Sequence, residues 1–111
     1  MIMDFSAMPL QHAAHFRGGE GEVLIRMYND QMGKISRLEL PAGASIGMHT
    51  HTTNCEVMVI VSGHGLLLDG SESGKPVSAG MCCYCPQGES HSLINNGTEP
   101  LVLMAVMPDL A

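Results

Sequence analysis

Residues 43–63 read GASIGMHTHTTNCEVMVIVSG. Two strand-like segments, Ser45–His51 and Cys55–Val61, flank the turn-rich Thr52-Thr53-Asn54. His49 and His51 are two residues apart, so on a strand they project from the same face. Their Cα atoms would then lie about 6.6 Å apart, from a rise of ~3.3 Å per residue. Two imidazoles at that spacing can converge on one ion at about 2.0–2.1 Å. Glu56 interrupts an otherwise apolar run, and a carboxylate in a core-type strand needs a counter-charge or a metal. On one continuous strand Glu56 would point away from His51. The turn between them lets the chain fold back and present Glu56 from the adjacent strand.

A second stretch, residues 80–95, reads GMCCYCPQGESHSLIN. Pro86 cannot donate to a ladder and ends a strand over Met81–Cys85. Gly88 turns the chain into another strand, His91–Asn95, whose first residue can supply a fourth ligand from across a barrel. The glycines of both stretches suit positions with positive φ or close strand approach.

Working outward, the segments Val23–Tyr28, Ile35–Leu40, Leu66–Asp69 and Leu101–Met107 also read as strands. Pro41-Ala42-Gly43 is a turn, and Asp69-Gly70 and Asn96-Gly97 are hairpin-type dipeptides. Residues 1–20 form an irregular N-terminal arm that runs into Arg17-Gly18-Gly19-Glu20-Gly21. Residues 21–111 form one domain. Eight or so short strands between Gly, Pro and Asn turns predict an all-β sandwich, jelly roll or barrel.

The two stretches together resemble the paired signature motifs of the cupin superfamily. Gly43, His49, His51, Glu56 and Gly63 match every fixed position of G-x5-H-x-H-x3,4-E-x6-G. Gly80, Pro86, Gly88, His91 and Asn95 match every fixed position of G-x5-P-x-G-x2-H-x3-N. The resemblance spans roughly Gly21 to Met107 and rests on two separate blocks. It implies a small double-stranded β-helix, the cupin jelly-roll barrel, with a metal held inside by His49, His51, Glu56 and His91. It also implies a dimer. One departure is compositional: the strand before Pro86 is usually rich in Val and Ile, and here it is Met81-Cys82-Cys83-Tyr84-Cys85.

Composition narrows the function classes. The chain has 111 residues, 45% hydrophobic and 14% charged, which is far too apolar for disorder. Five basic against eleven acidic residues give a net charge of −6. Such a chain has no electrostatic footprint for nucleic acid or anionic lipid. The longest apolar runs, Val57–Val61 and Leu101–Met107, fall well short of the ~20 residues that cross a bilayer. MIMDFSAMPLQ has neither a basic segment nor a sustained apolar one, so no secretory signal is expected. The expected location is the cytoplasm, with reduced thiols. Those apolar runs offer hydrophobic groups to both faces of a strand, so the outer face should be covered as well. A homodimer partner is the expected cover, with an arm folded back as the alternative.

Cys55, Cys82, Cys83 and Cys85 form no C-x-x-C pair, which excludes a zinc ribbon or a thioredoxin motif. They are expected to act as small hydrophobes, with a redox-sensitive cluster at Cys82, Cys83 and Cys85 as the alternative. His12, His15 and His64 are expected at the surface or in the arm. An imidazole-rich site suits one divalent Fe, Mn, Ni or Zn ion rather than Mg or Ca. Four protein ligands leave positions open on a six-coordinate ion, so the function expected first is a metal-dependent enzyme of oxygenase or isomerase type. The alternative is a non-catalytic binding or sensor protein with a metal-anchored small molecule. A purely structural metal is a third option. No catalytic residue beyond the metal set stands out; Tyr84, Gln87 and Glu89 flank His91, with surface placement expected for Gln87 and Glu89. Only Arg26 and Arg37 lie in strands to meet an anion, and Met, Cys, Val and Ile dominate near the motifs. The expected ligand is therefore small and neutral or weakly polar.

Overall fold

Alternation of buried and exposed residues, clearest along Gly33–Leu40 and Cys82–Cys85, accompanies two facing antiparallel sheets. The computed structural model describes residues 1–70 and 73–110. Its strands are β1 (Gln11–Ala14), β2 (Glu22–Asp30), β3 (Gly33–Leu40), β4 (Ser45–Thr50), β5 (Glu56–Ser62), β6 (His64–Leu68), β7 (Lys75–Ser78), β8 (Cys82–Cys85), β9 (Ser90–Ile94) and β10 (Leu101–Pro108). One sheet has the order β1-β2-β3-β10-β5-β8 and the other β4-β9-β6-β7. Among the described residues no helix is long and apolar enough to cross a membrane.

The core lies between the sheets. Val23 and Ile25 of β2, Leu38 and Leu40 of β3, Met58 and Ile60 of β5, and Leu101, Leu103 and Ala105 of β10 face inward from the larger sheet. Ile46, Leu67, Val77 and Leu93 meet them from the smaller one. Each large aliphatic side chain removed from water in this way contributes about 1.5–3 kcal/mol. Cys83 and Cys85 are buried and Cys82 is exposed, so the triplet alternates as neighbours on a strand must.

Several expectations change. The first twenty residues are not wholly irregular: β1 pairs with β2 as an edge strand, and 3-10 turns span Phe5–Ala7 and Phe16–Gly18. β1 and β7 were too short and too polar to stand out by alternation. Asn96-Gly97 is not a hairpin, because β9 and β10 belong to different sheets. The fully buried Asn95 organises that crossover instead. Its Nδ2 donates to Leu40 O and Glu99 O, each at 2.8 Å, and its Oδ1 accepts from Gly97 N at 2.9 Å. Asp69-Gly70 does lie in the β6–β7 hairpin connection. The arm does not fold over β5, where Val59 and Val61 are 42% and 52% exposed.

The four motif glycines, Gly43, Gly63, Gly80 and Gly88, all have positive φ. At Gly63 the demand is doubled, since a Cβ there would lie 2.4 Å from Pro100 O.

Candidate metal centre

Two strands of the smaller sheet bring the histidines together. β4 pairs with β9 so that His49 faces His91 as a direct register partner. The register shifts between Ile46 and His49, a β-bulge that breaks simple alternation. The bulge lets Ile46 join the core while His49 and His51 still reach the centre. Glu56 enters from the other sheet, at the start of β5, on the inward face it shares with Met58 and Ile60. The expected roles are therefore exchanged. His91 comes from the neighbouring strand, and Glu56 comes from across the barrel. The reason is topological: β5 pairs with β10 and β8, not with β4.

The geometry is tight. Ring centroids of the three histidines are 4.8–4.9 Å apart, an almost equilateral triangle. Glu56 Oε1 lies 3.2 Å from His51 Nε2 and 2.9 Å from His91 Nε2. One nitrogen or oxygen from each of His49, His51, Glu56 and His91 lies within 4.8 Å of the others. His51, Glu56 and His91 are buried, and His49 is partly exposed.

The protonation pattern fits a cation. His51 Nδ1 donates to Asn54 Oδ1 at 2.7 Å, and His49 Nδ1 donates to Gly47 O at 2.7 Å. Each bond puts the ring proton on Nδ1 and leaves a lone pair on Nε2. His51 Nε2 then faces His91 Nε2 at 3.0 Å and a carboxylate oxygen at 3.2 Å. A positive charge placed among these crowded nitrogen and oxygen atoms would relieve the cost of keeping them together in a dry place. Burial lowers the pKa of His49; the Gly47 carbonyl opposes this, and charge on His91, His51 and Arg17 adds to the lowering. The neutral ring that a metal needs is thus favoured.

A cavity of about 20 Å³, room for little more than one water, opens beside this cluster. His49 and Glu56 line it together with Arg17, Ser36, Phe16 and Met27. Ser36 is fully buried, and its hydroxyl has no hydrogen-bond partner among the described residues. Leaving such a group unpaired costs about 1–3 kcal/mol. Arg17 and Ser36 were missed in the sequence. Arg17 sits in a glycine-rich run that read as a flexible connection, and a lone serine in a strand carries no signal. The structure also turns the strand arginines away from the cluster. Arg26 and Arg37 are register partners beside Ser6, with Arg26 donating to the carbonyls of Phe5, Ser6 and Met8. Tyr84, Gln87 and Glu89 are exposed, as are His12, His15 and His64.

Comparison with known proteins agrees with this architecture. A family model described as "Cupin domain" matches residues 36–107. An oxalate-binding protein from Thermotoga maritima is 31% identical over 96% of this chain and 93% of its own length. A crystal structure of a predicted oxalate decarboxylase from Thermotoga maritima superposes with a TM-score of 0.92 at 31% identity, covering 99% of this chain and 100% of that one. A cupin domain from Schizosaccharomyces pombe reaches 0.79 at 15% identity, over 98% and 74% of the two chains, which speaks for the fold alone. With both motif blocks folded around one buried cluster, the chain belongs to the cupin superfamily.

Proposed function

We propose that this protein holds one divalent transition metal through His49, His51, Glu56 and His91 and uses it to bind a small oxygen-donor carboxylate. The observation that carries this is the convergence of acceptor atoms, two of them fixed as lone pairs by Asn54 and Gly47. Three imidazoles and one carboxylate suit Fe, Mn, Ni or Zn. When bound, the ion supplies a Lewis-acid centre with positions left for ligand oxygens. The relative named for oxalate binding supports a small dicarboxylate as the ligand class. This replaces the neutral ligand expected from the sequence, because Arg17 and Ser36, whose hydroxyl is unpaired among the described residues, both line the cavity.

Binding is favoured over catalysis by an oxygenase or isomerase mechanism. Beyond His49 and Glu56, the cavity lining consists of Ser36, Arg17 and apolar residues. None of these is suited to moving a proton near neutral pH. The chain's own contribution is to orient a ligand and exclude water around it.

We further assign residues 1–20 to an arm that completes a barrel of residues 21–111. A second copy of the chain is proposed to cover the outer face that bears Val59, Val61 and Tyr84. The free cysteines suit a reducing compartment, and the cytoplasm is the proposed location. Metal analysis of purified protein, followed by calorimetric titration of the loaded protein with oxalate, tests the main assignment. About one ion per chain and saturable oxalate binding are expected. Metal-free protein that stays metal-free when offered these ions overturns it.

A further inference from the structure

The backbone of the arm is locked against β4 beside the cluster. Gly19 and Gly47 interdigitate so closely that a Cβ on Gly47 would lie 2.1 Å from Arg17 O, and one on Gly19 would lie 2.1 Å from Ser45 O. Ser45 N donates to Glu20 O at 2.9 Å, and Glu20 N donates to Ser45 Oγ at 2.8 Å. Just before these anchors His15 and Arg17 both take left-handed conformations, with φ of 52° and 55°. Two non-glycine residues in that region are held there by their surroundings, and such strain gathers at binding sites.

The result is that Arg17 reaches the cavity shared by His49, Glu56 and Ser36. Arg17 is exposed, its guanidinium lies over the Phe16 ring at 5.7 Å, and no ion pair holds it among the described residues. Ser36 lines the same cavity, as a buried hydroxyl with no partner among the described residues. The cavity alone holds little more than one water, so a ligand that meets all of these groups has to extend into it from the adjoining centre at His49 and Glu56.

We propose that Arg17 and Ser36 form the second pole of the ligand site and select a short dicarboxylate over a monoanion of the same size. The proposal rests on the metal-anchored carboxylate binding given above. One edge of the ligand occupies the centre, and its far oxygens accept from the Arg17 guanidinium and the Ser36 hydroxyl. The arm is then part of the recognition apparatus, and Arg17 is a specificity residue delivered on strained backbone. A guanidinium that meets a carboxylate forms a charge-assisted hydrogen bond, which a neutral amide cannot match.

The test compares oxalate with oxamate, in which one carboxylate is replaced by a neutral amide. Both are titrated calorimetrically into manganese-loaded protein. The wild type, Arg17→Gln, Arg17→Lys and Ser36→Ala are compared, with metal content measured on each. Arg17→Gln is expected to weaken oxalate roughly tenfold and oxamate far less, with metal content unchanged. Arg17→Lys keeps part of the preference, and Ser36→Ala weakens oxalate. An oxalate-to-oxamate ratio that is the same in wild type and Arg17→Gln overturns the second pole and leaves metal-anchored binding standing. A loaded wild type that binds neither anion overturns both.

Discussion

The amide oxygen of Asn54 stands 2.7 Å from His51 Nδ1 and so decides which nitrogen of that ring faces the centre. Asn54 is outside the proposed ligand set, yet its bond holds the ring proton on Nδ1, away from Nε2. Removing such a partner costs about 10–100-fold in metal affinity. Asn54→Ala is therefore expected to bind metal that much more weakly in competition with a chelating dye. Asn54→Asp, which keeps an acceptor, should retain most of the affinity. Equal affinity in Asn54→Ala and wild type would mean that the ring needs no such partner.

Metal removal should not unfold the protein. The core between the sheets is built from aliphatic residues that make no use of an ion, among them Leu40, Ile60 and Leu103, each at most 1% exposed. The apo form should melt cooperatively, and metal should raise Tm only as far as mass action dictates. The His49→Ala, His51→Ala double variant should lose the metal and this increment together. Calorimetric melting with and without a chelator reads both. An unfolded apo protein would make the metal a staple of the fold.

Most of the site could be read from the chain because the information is local. His49 and His51 share a face by parity, and the turn at 52–54 frees Glu56 from their strand. Sheet order is a different matter. Nothing near Glu56 says that β5 pairs with β10 and β8, so His91 and Glu56 exchanged their expected positions. Asn96-Gly97 misled for a similar reason, since the buried Asn95 side chain, not a turn, directs the crossover. Arg17 was illegible because its position depends on two glycines 28 residues apart, Gly19 and Gly47, whose backbones touch only in the folded chain.

Thiol reactivity should separate the cysteine triplet. Burial raises the pKa of Cys83, helped by Cys82, and burial raises that of Cys85, helped by the charge of Glu56. The thiolate is the nucleophile, so raised values keep these two inert. Cys82 is exposed and should be alkylated first by iodoacetamide in native protein. All four thiols should react after denaturation. A thiol whose folded pKa is raised contributes stability that is full below the unfolded thiol value. That stability is lost as pH rises through the folded value. Urea midpoints should therefore fall on the alkaline side of about pH 8.5. Rapid native labelling of Cys83 or Cys85 would contradict their burial.

The outer face of β5 should hold two copies together. Val59 and Val61 are exposed on the same face as Tyr84, which is 61% exposed on the neighbouring β8. Apolar groups clustered in this way mark an interaction surface. Sedimentation at micromolar concentration should give a dimer. The Val59→Glu, Val61→Glu variant should give a folded monomer, because like charges placed at a two-fold interface meet their own copies. A wild-type monomer would refute this.

The last prediction concerns Gly47, where two demands meet. It sits between Ile46 and His49 at the bulge that turns His49 toward the centre, and its carbonyl accepts from His49 Nδ1. Its missing side chain is also what lets Arg17 lie against β4. In Gly47→Ala the new methyl would collide with the Arg17 carbonyl, and a backbone atom cannot swing aside like a side-chain end. β4 is held on its other side by β9, whereas the arm is tied mainly by Glu20 and Ser45. The arm should therefore give way first. Gly47→Ala is expected to lose about 1–3 kcal/mol of stability, typical of overpacking. It should also expose the amides of Gly18 and Gly19, now bonded to His15 O and Phe16 O, to hydrogen exchange. Metal content should persist while the preference for oxalate over oxamate declines. Gly43→Ala is the control. Its Cβ meets nothing within 4 Å, and its cost is the strain of φ +81° alone. It should lower stability without freeing the arm. Unchanged exchange at Gly18 and Gly19 in Gly47→Ala would show that the arm is not held by this contact.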